Sequence, residues 1–128
     1  MEKLTISQET VNPRERVVLL NLKGTIETTN AGILEDVIAR LIGEKCFRIV
    51  VDLSGVTYVS SAGWGIFISE IKRVRRQAGD IKLAAMRPEV REVFDLLEFN
   101  NILKPYPDKS EAIQDFHPAN VRPERTRE

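Results

Sequence analysis

The feature that most constrains the fold is a short apolar run at residues 47–53, FRIVVDL, which lies between two stretches with helical periodicity. The run is rich in β-branched residues and has few polar interruptions, which is typical of a central strand covered on one or both faces. Strands that alternate with helices along the chain are the mark of an α/β fold. The sequence therefore predicts a layered α/β domain built around residues 47–53.

The start of the chain predicts an antiparallel hairpin. Residues 4–10 alternate apolar and polar side chains, and residues 17–22 form a denser run of valine and leucine. A polar connector that contains a proline, residues 12–16, joins the two runs, as in a hairpin. We expect Gly24 to end the second strand.

Apolar stripes predict three helices. Side chains recur at three- and four-residue spacing within residues 33–42, 64–78 and 90–97, which places them on one helical face each. The candidate start and stop residues are Thr28, Thr29 or Asn30 and Gly43 for the first helix, Ser61 and Gly79 for the second, and Pro88 for the third.

The remaining segments complete the order ββαβαβαβ with a short last helix. We expect residues 54–57 to turn the chain into the second helix, and residues 81–85 and 100–106 to form strands. Asp108 or Ser110 can cap the last helix. This order predicts an α/β sandwich with a mixed sheet, right-handed crossovers and helices mainly on one face.

Length and composition set the organisation. A chain of 128 residues is one domain's worth, so we expect a domain over residues 1–116. Residues 117–128 contain two prolines, five charged residues and almost no apolar side chains, which predicts a disordered tail.

Charge and apolar content exclude several classes of function. Nineteen basic and nineteen acidic residues give zero formal net charge, so no overall basic field favours direct nucleic-acid binding. A single cysteine excludes an intrachain disulfide. The first residues lack the apolar run of a signal peptide, and no apolar stretch approaches the roughly 20 residues of a membrane helix. We therefore expect a cytoplasmic protein without a membrane span.

Three motifs give the chain a resemblance to the STAS domain, the fold of bacterial anti-sigma factor antagonists and of cytosolic domains on sulfate transporters. Residues 52–56, DLSGV, match the family's DLS strand end, and residues 60–65, SSAGWG, match its DSSGLG turn. Residues 24–27, GTIE, match its GELD sequence after the second strand. The resemblance runs from about residue 4 to residue 113 and implies a STAS-like sandwich.

The resemblance implies a function as an anti-sigma factor antagonist. In that branch of the family the serine directly after the aspartate of DSSG is phosphorylated, and the matching residue here is Ser61. Ser60 replaces that aspartate, Ala62 replaces the second serine, and Glu27 stands at the aspartate of GELD. The implied partners are an anti-sigma factor that is also a serine kinase and a serine phosphatase. The kinase binds the unphosphorylated form and frees a sigma factor, and the phosphatase resets the site.

The predicted partner-binding residues share a position around the end of the second strand and the start of the second helix. They are Gly24, Thr25, Glu27, Tyr58, Ser60, Ser61, Ala62, Gly63 and Trp64. The first turn of a helix presents unpaired N–H groups and a positive dipole end. A phosphate on Ser61, with roughly −1.5 to −2 charges, can therefore be held locally while it repels an acidic partner.

Each of these assignments has a structural alternative. Ser60 and Ser61 can serve only as helix caps, because serine is a favoured N-cap residue. Trp64 lies on the same stripe as Phe67, so it is either a core residue or an exposed interface anchor. Residues 72–76, KRVRR, form either a solvated helix face or a basic dock for an acidic partner.

The sequence does not predict an enzyme. His117 and Cys46 offer no set of nucleophile, base and orienting group, and no metal cluster. The sequence around Gly63 lacks the third glycine of a dinucleotide fingerprint and a Walker lysine, so we expect no cofactor. Two alternatives to the switched antagonist remain, namely a constitutive STAS scaffold and an accessory subunit of a signalling or anion or lipid transport complex.

Overall fold

The computed structural model describes residues 3–116, so the predicted tail at residues 117–128 lies outside the described part of the chain. Strands and helices alternate as the periodicity predicts. The elements are β1 (Thr5–Asn12), β2 (Val17–Ile26), α1 (Ala31–Gly43), β3 (Arg48–Val59), α2 (Ser61–Arg75), β4 (Asp80–Ala84), α3 (Pro88–Leu96), a 3₁₀ turn (Phe99–Asn101) and α4 (Lys109–Gln114).

The described strands form one mixed sheet in the order β1-β2-β3-β4. β1 and β2 are antiparallel, as the hairpin prediction requires. β2 with β3, and β3 with β4, are parallel, because a helix crosses over between the members of each pair. The predicted α/β class and mixed sheet are confirmed.

Helices cover the two faces of the sheet unequally. α1, α2 and α3 contribute to one continuous apolar core with one face of the sheet, and its fully buried side chains include Leu34, Ile38, Phe67 and Phe94. Alternate residues of the same strands face the other side, where a smaller cluster gathers around Ala112 of α4. Because side chains alternate along a strand, β2 and β3 are buried on both faces.

A hydrogen-bond network holds α4 against the sheet, on the face that carries the smaller apolar cluster. Tyr106 donates a short hydrogen bond to the carboxylate of Asp115, and Lys82 Nζ lies 3.2 Å from the Tyr106 hydroxyl. Burial, followed by the hydrogen bond to Asp115, raises the pKa of Tyr106 well above its usual value. The phenol therefore stays protonated and keeps α4 tied to the sheet.

Two predicted strand ends are wrong. β2 does not stop at Gly24 but continues to Ile26, and the residues expected to turn at 54–57 belong to β3, which continues to Val59. The pairing register between these strands shifts at Gly24, whose φ of 106° suits glycine. An extra residue in one strand is a β-bulge, so a glycine there bends the strand without ending it.

The predicted strand at residues 100–106 is also wrong. The segment begins as the 3₁₀ turn, and only Tyr106 pairs with the sheet, through a single parallel bridge to Ala84. Ile102 and Leu103 both donate their N–H groups to the Phe99 carbonyl at 2.8 Å. The start of the segment is therefore coiled, and too few residues remain extended to form a ladder.

None of the described helices has the length and apolar content needed to cross a membrane.

Candidate functional site

The predicted site residues meet at one edge of the sheet. β2 and β3 run parallel and end together, with Thr25 paired to Tyr58 and Ile26 paired to Val59. α1 and α2 begin just beyond these strand ends. Carboxyl ends of parallel strands followed by helix N-termini are a common place for binding sites in α/β folds. We call this edge the carboxyl edge, defined by residues 24–30 and 57–65.

Ser60 fixes the start of α2. Its backbone is extended, and its Oγ accepts a hydrogen bond from the Gly63 N–H at 3.2 Å. Its own N–H donates to the Ile26 carbonyl at 2.8 Å, so the residue also joins α2 to the end of β2. Ser60 is buried. It is therefore the N-cap, as one of the alternatives for the serine pair predicts.

Ser61 has a different environment from its neighbour. It is the first residue of α2 and its side chain is exposed. Within residues 3–116 its hydroxyl makes no hydrogen bond, and the amides of Ser61 and Ala62 donate to no acceptor. These first-turn amides lie at the positive end of the helix dipole. The position is therefore open to an enzyme and suited to a negative charge.

Glycine at position 63 lets α2 approach the sheet. A Cβ atom there would lie 2.7 Å from Ile26 Cγ2 and 2.9 Å from Val59 Cγ1. Both contacts are shorter than van der Waals packing allows. Gly65, by contrast, has open space around it. Ala62 is half-buried against the core.

Trp64 belongs to the core. Only 3% of its surface is exposed, and its ring lies 6.0 Å from Phe67, 5.9 Å from Phe94 and 5.3 Å from Phe99. The alternative of an exposed interface anchor is therefore wrong, and the packing alternative is right. Its indole Nε1 is buried without a hydrogen-bond partner among the described residues.

The β2 side of the carboxyl edge is occupied by a turn. Asn30 Oδ1 accepts from the Glu27 N–H at 2.8 Å, and Asn30 Nδ2 donates to the Thr25 carbonyl at 3.0 Å. Gly24 and Thr25 are buried, so these two residues offer no surface to a partner. Glu27 is half-buried, and its Oε2 has no hydrogen-bond partner in the described part of the chain.

Two surface depressions lie near Ser61, and Trp64 forms part of the wall of each. The smaller one includes Tyr58, which is 50% exposed, and Val93 of α3. The larger is an open groove of about 650 Å³. We call it the α2 groove; its lining residues are Ser61, Trp64, Gly65, Ile68, Ser69, Lys72, Arg76, Leu97 and Phe99.

The sequence contained a signal for the α2 groove that the site prediction missed. From Ser61 the groove residues of α2 recur at steps of three and four, through Gly65 and Ile68 to Lys72 and Arg76, which defines one helical face. Leu97 and Phe99, from the segment after α3, could not be anticipated, because only tertiary packing brings them to α2.

The charged side chains of the basic run at residues 72–76 are all exposed. Arg73 pairs with Glu70 at 3.2 Å and Arg75 pairs with Asp80 at 2.9 Å. Lys72 and Arg76 line the α2 groove and have no ion pair among the described residues. Within residues 3–116 no cluster of three metal-ligating side chains occurs.

A scan against protein-family models matches the STAS domain over residues 10–112. A search of curated proteins finds the Bordetella bronchiseptica protein named "Putative anti-sigma factor antagonist BtrV". The two sequences are 31% identical over 113 residues, which is 88% of this chain and 97% of the relative.

Solved structures with the same fold include two antagonists. An anti-sigma factor antagonist from Mycobacterium paratuberculosis has a TM-score of 0.80 at 22% identity, covering 89% of this chain and 94% of that one. The Bacillus cell fate determinant SpoIIAA in its phosphorylated form has a TM-score of 0.67 at 19% identity, covering 86% of this chain and 97% of that one.

Proposed function

The chain belongs to the STAS domain family, and on that premise we propose that it is an anti-sigma factor antagonist whose partner binding is switched by phosphorylation of Ser61. The unphosphorylated form would bind an anti-sigma factor that is also a serine kinase and so free a sigma factor. A serine phosphatase would reset the site. The protein would act in the cytoplasm as a binding module, without catalysis of its own.

The observation that carries the proposal is that Ser60 and Ser61, although adjacent, have different roles in the structure. Ser60 is buried and supplies the cap, whereas Ser61 is exposed and has no structural hydrogen bond within the described residues. A hydroxyl that the fold does not use can be modified without loss of a native contact. SpoIIAA, which shares the fold, was solved in a phosphorylated form, so this fold can carry a phosphate.

A phosphate on Ser61 changes the surface more than the fold. The first-turn amides and the helix dipole can accommodate its charge, and the cap bond from Gly63 to Ser60 does not involve Ser61. Lys72 lies eleven residues further along α2, or about 16 Å at 1.5 Å per residue. It is too far away to neutralise the phosphate by direct contact.

The surface that would read this charge is the α2 groove. Ser61 stands at one end of it, with apolar lining from Ile68 and Leu97 beyond. Leu97 is 49% exposed. A partner that covers this apolar surface must remove water from Ser61 as well. Desolvation of a phosphate dianion costs several kcal/mol unless it is paired, so phosphorylation would release the partner.

Phosphopeptide mass spectrometry of the protein isolated from its own cells tests the proposal. Trypsin should release residues 49–72, between Arg48 and Lys72, as one fragment. We expect phosphate on Ser61, none in Ser61→Ala, and retained phosphate in Ser60→Ala. Phosphate confined to Ser60 would contradict the assignment. Unmodified fragment in both growing and stressed cells, with a detected phosphopeptide standard, would favour the constitutive scaffold.

Partner capture tests the second half of the proposal. Tagged wild type and Ser61→Ala should retain a kinase-like partner from the same cells, and Ser61→Asp should lose it because of its added charge. Gly32→Asp is the matched control, since it adds one charge in the first turn of α1, outside the lining of the α2 groove, and it should retain the partner. Equal retention by Ser61→Asp and wild type would contradict a charge-driven switch.

A further inference from the structure

One segment of the described chain is attached to the rest of the domain through apolar contacts alone. It comprises α3 and the 3₁₀ turn, residues 88–101, and we call it the α3 flap. Within residues 3–116, each hydrogen bond and ion pair that the α3 flap makes has its partner inside residues 87–103. The α3 flap can therefore leave the body of the domain without breaking a hydrogen bond to it.

The other helices are fastened to the sheet by polar contacts. Arg40 of α1 donates to Gln8 Oε1 of β1 at 3.0 Å, and Arg75 of α2 pairs with Asp80 of β4 at 2.9 Å. α4 is tied to the sheet through the network around Tyr106. Among the described residues α3 has no such bond, so its attachment depends on packing.

A single aromatic cluster supplies most of that packing. α3 buries two of its nine residues, Val90 and Phe94, whereas α2 buries six of its fifteen. The rings of Phe94 and Phe99 lie 5.9 Å and 5.3 Å from the ring of Trp64. Elements with few buried apolar contacts are the ones that open locally, at a smaller free energy than unfolding of the whole domain.

The two ends of the α3 flap are anchored. Arg87 Nη1, directly before α3, donates to the Ser54 carbonyl at 3.2 Å. Arg75 Nη1 donates to the carbonyl of Ile102, directly after the 3₁₀ turn, at 2.9 Å. Because both ends are held, a flap that undocks can return to the same place.

The docked position carries a cost at Trp64. The indole Nε1 is buried and has no hydrogen-bond partner among the described residues. A buried donor without an acceptor costs free energy, and water removes that cost when the donor becomes exposed. Departure of Phe94 and Phe99 would uncover the indole, so undocking recovers part of what it loses in packing.

We propose that the α3 flap is a movable wall of the α2 groove, which undocks from Trp64 while the sheet stays folded. The flap supplies Leu97 and Phe99 to the groove, and the remaining lining comes from α2 and from Arg76 directly after it. The docked flap therefore completes the groove, and undocking dismantles it.

The α3 flap would regulate the groove by mass action. A partner that needs the complete groove binds only the docked form, so its apparent affinity falls with the docked fraction. This consequence rests on the proposed function of the α2 groove. The undocking itself does not, because it involves neither a partner nor a phosphate.

Hydrogen exchange of the full chain, followed by NMR residue by residue, tests the proposal. An isolated helix of nine residues is unstable in water, so α3 should lose its own hydrogen bonds once it undocks. We expect the α3 amides to show at least tenfold lower protection than the β3 amides. Trp64 is the only tryptophan, so its indole N–H gives one signal, which should exchange through the same opening.

Two substitutions separate flap opening from unfolding of the whole domain. Phe99→Leu weakens the contact with Trp64 and should speed exchange of the α3 amides and of the indole by the same factor, about fivefold. Ile38→Val, in the core beneath α1, weakens the docked and undocked forms alike. It should speed exchange of β3 about fivefold and leave α3 and the indole unchanged. Leu96→Ala is the matched control within α3, since Leu96 is 77% exposed, and it should leave exchange of the indole unchanged.

Three results would overturn the proposal. Equal protection of α3 and β3 in the wild type, or equal acceleration of both by Ile38→Val, would mean that α3 opens only when the whole domain unfolds. Different factors for α3 and the indole in Phe99→Leu would mean that no single opening connects them. None of these measurements uses Ser61, so their outcome is distinguishable from failure of the proposed switch.

Discussion

α1 and α2 begin at the same edge of the sheet, yet the chain builds the two helix starts differently. α2 follows β3 with Ser60 alone between them, and the Ser60 side chain bonds into the helix. α1 follows β2 after a turn, and the Asn30 side chain bonds back to that turn at Glu27 and Thr25 instead of capping the helix.

The comparison shows which helix start can carry a modifiable side chain without losing native hydrogen bonds. The turn before α1 uses its polar groups to hold its own shape, so a charge added there would displace native hydrogen bonds. The start of α2 needs only Ser60 and the close approach of Gly63. The Ser61 hydroxyl is left without a structural role among the described residues, and seven substitutions at five positions test this contrast.

The largest expected effect is the difference in unfolding free energy between alanine substitutions at two glycines, one in the first turn of each helix. Gly63→Ala should lower the free energy of unfolding by about 3 kcal/mol, since its Cβ would overlap Ile26 and Val59. Gly32→Ala in α1 has open space and should raise it by about 0.5–1 kcal/mol. Urea unfolding followed by circular dichroism measures both. Similar values for the pair would show that α2 does not depend on close approach.

The next effect compares the polar side chains at the two starts. Asn30→Ala removes two hydrogen bonds and should cost about 2 kcal/mol at about 1 kcal/mol each. Ser60→Ala removes one cap bond and should cost about 1 kcal/mol. The same unfolding assay orders them. If Ser60→Ala cost more than Asn30→Ala, the cap would carry more of the fold than this comparison allows.

The smallest effect is expected at Ser61 itself. Ser61→Ala should change the free energy of unfolding by no more than about 0.5 kcal/mol. Ser61→Asp should stabilise by about 0.3–1 kcal/mol at low salt, because it places a negative charge at the helix N-terminus. Ser61→Lys is the matched control and should shift stability the other way. A loss of more than 1 kcal/mol in Ser61→Ala would mean that the hydroxyl has a structural role.

Local chemistry made the start of α2 predictable, and long-range packing made its surroundings unpredictable. A serine pair followed by a helical stripe is enough to place the start of α2, but the hydrogen bond that makes Ser60 the cap is visible only in the structure. The continuation of β2 past Gly24 depends on its register with β3, which no local pattern reveals. The burial of Trp64 depends on Phe94 and Phe99, which are 30 or more residues away.

The cap bond and the exposed hydroxyl belong to different residues, Ser60 and Ser61, so the two can be substituted independently as the protein evolves. Loss of the cap at Ser60 should lower the free energy of unfolding by about 1 kcal/mol, whereas the neighbouring codon can vary at almost no cost to folding. One nucleotide change can turn serine into alanine, and a few more can give aspartate. Under the proposed switch, alanine at position 61 would hold the module in its binding form and aspartate in its released form, and neither would need a compensating mutation elsewhere.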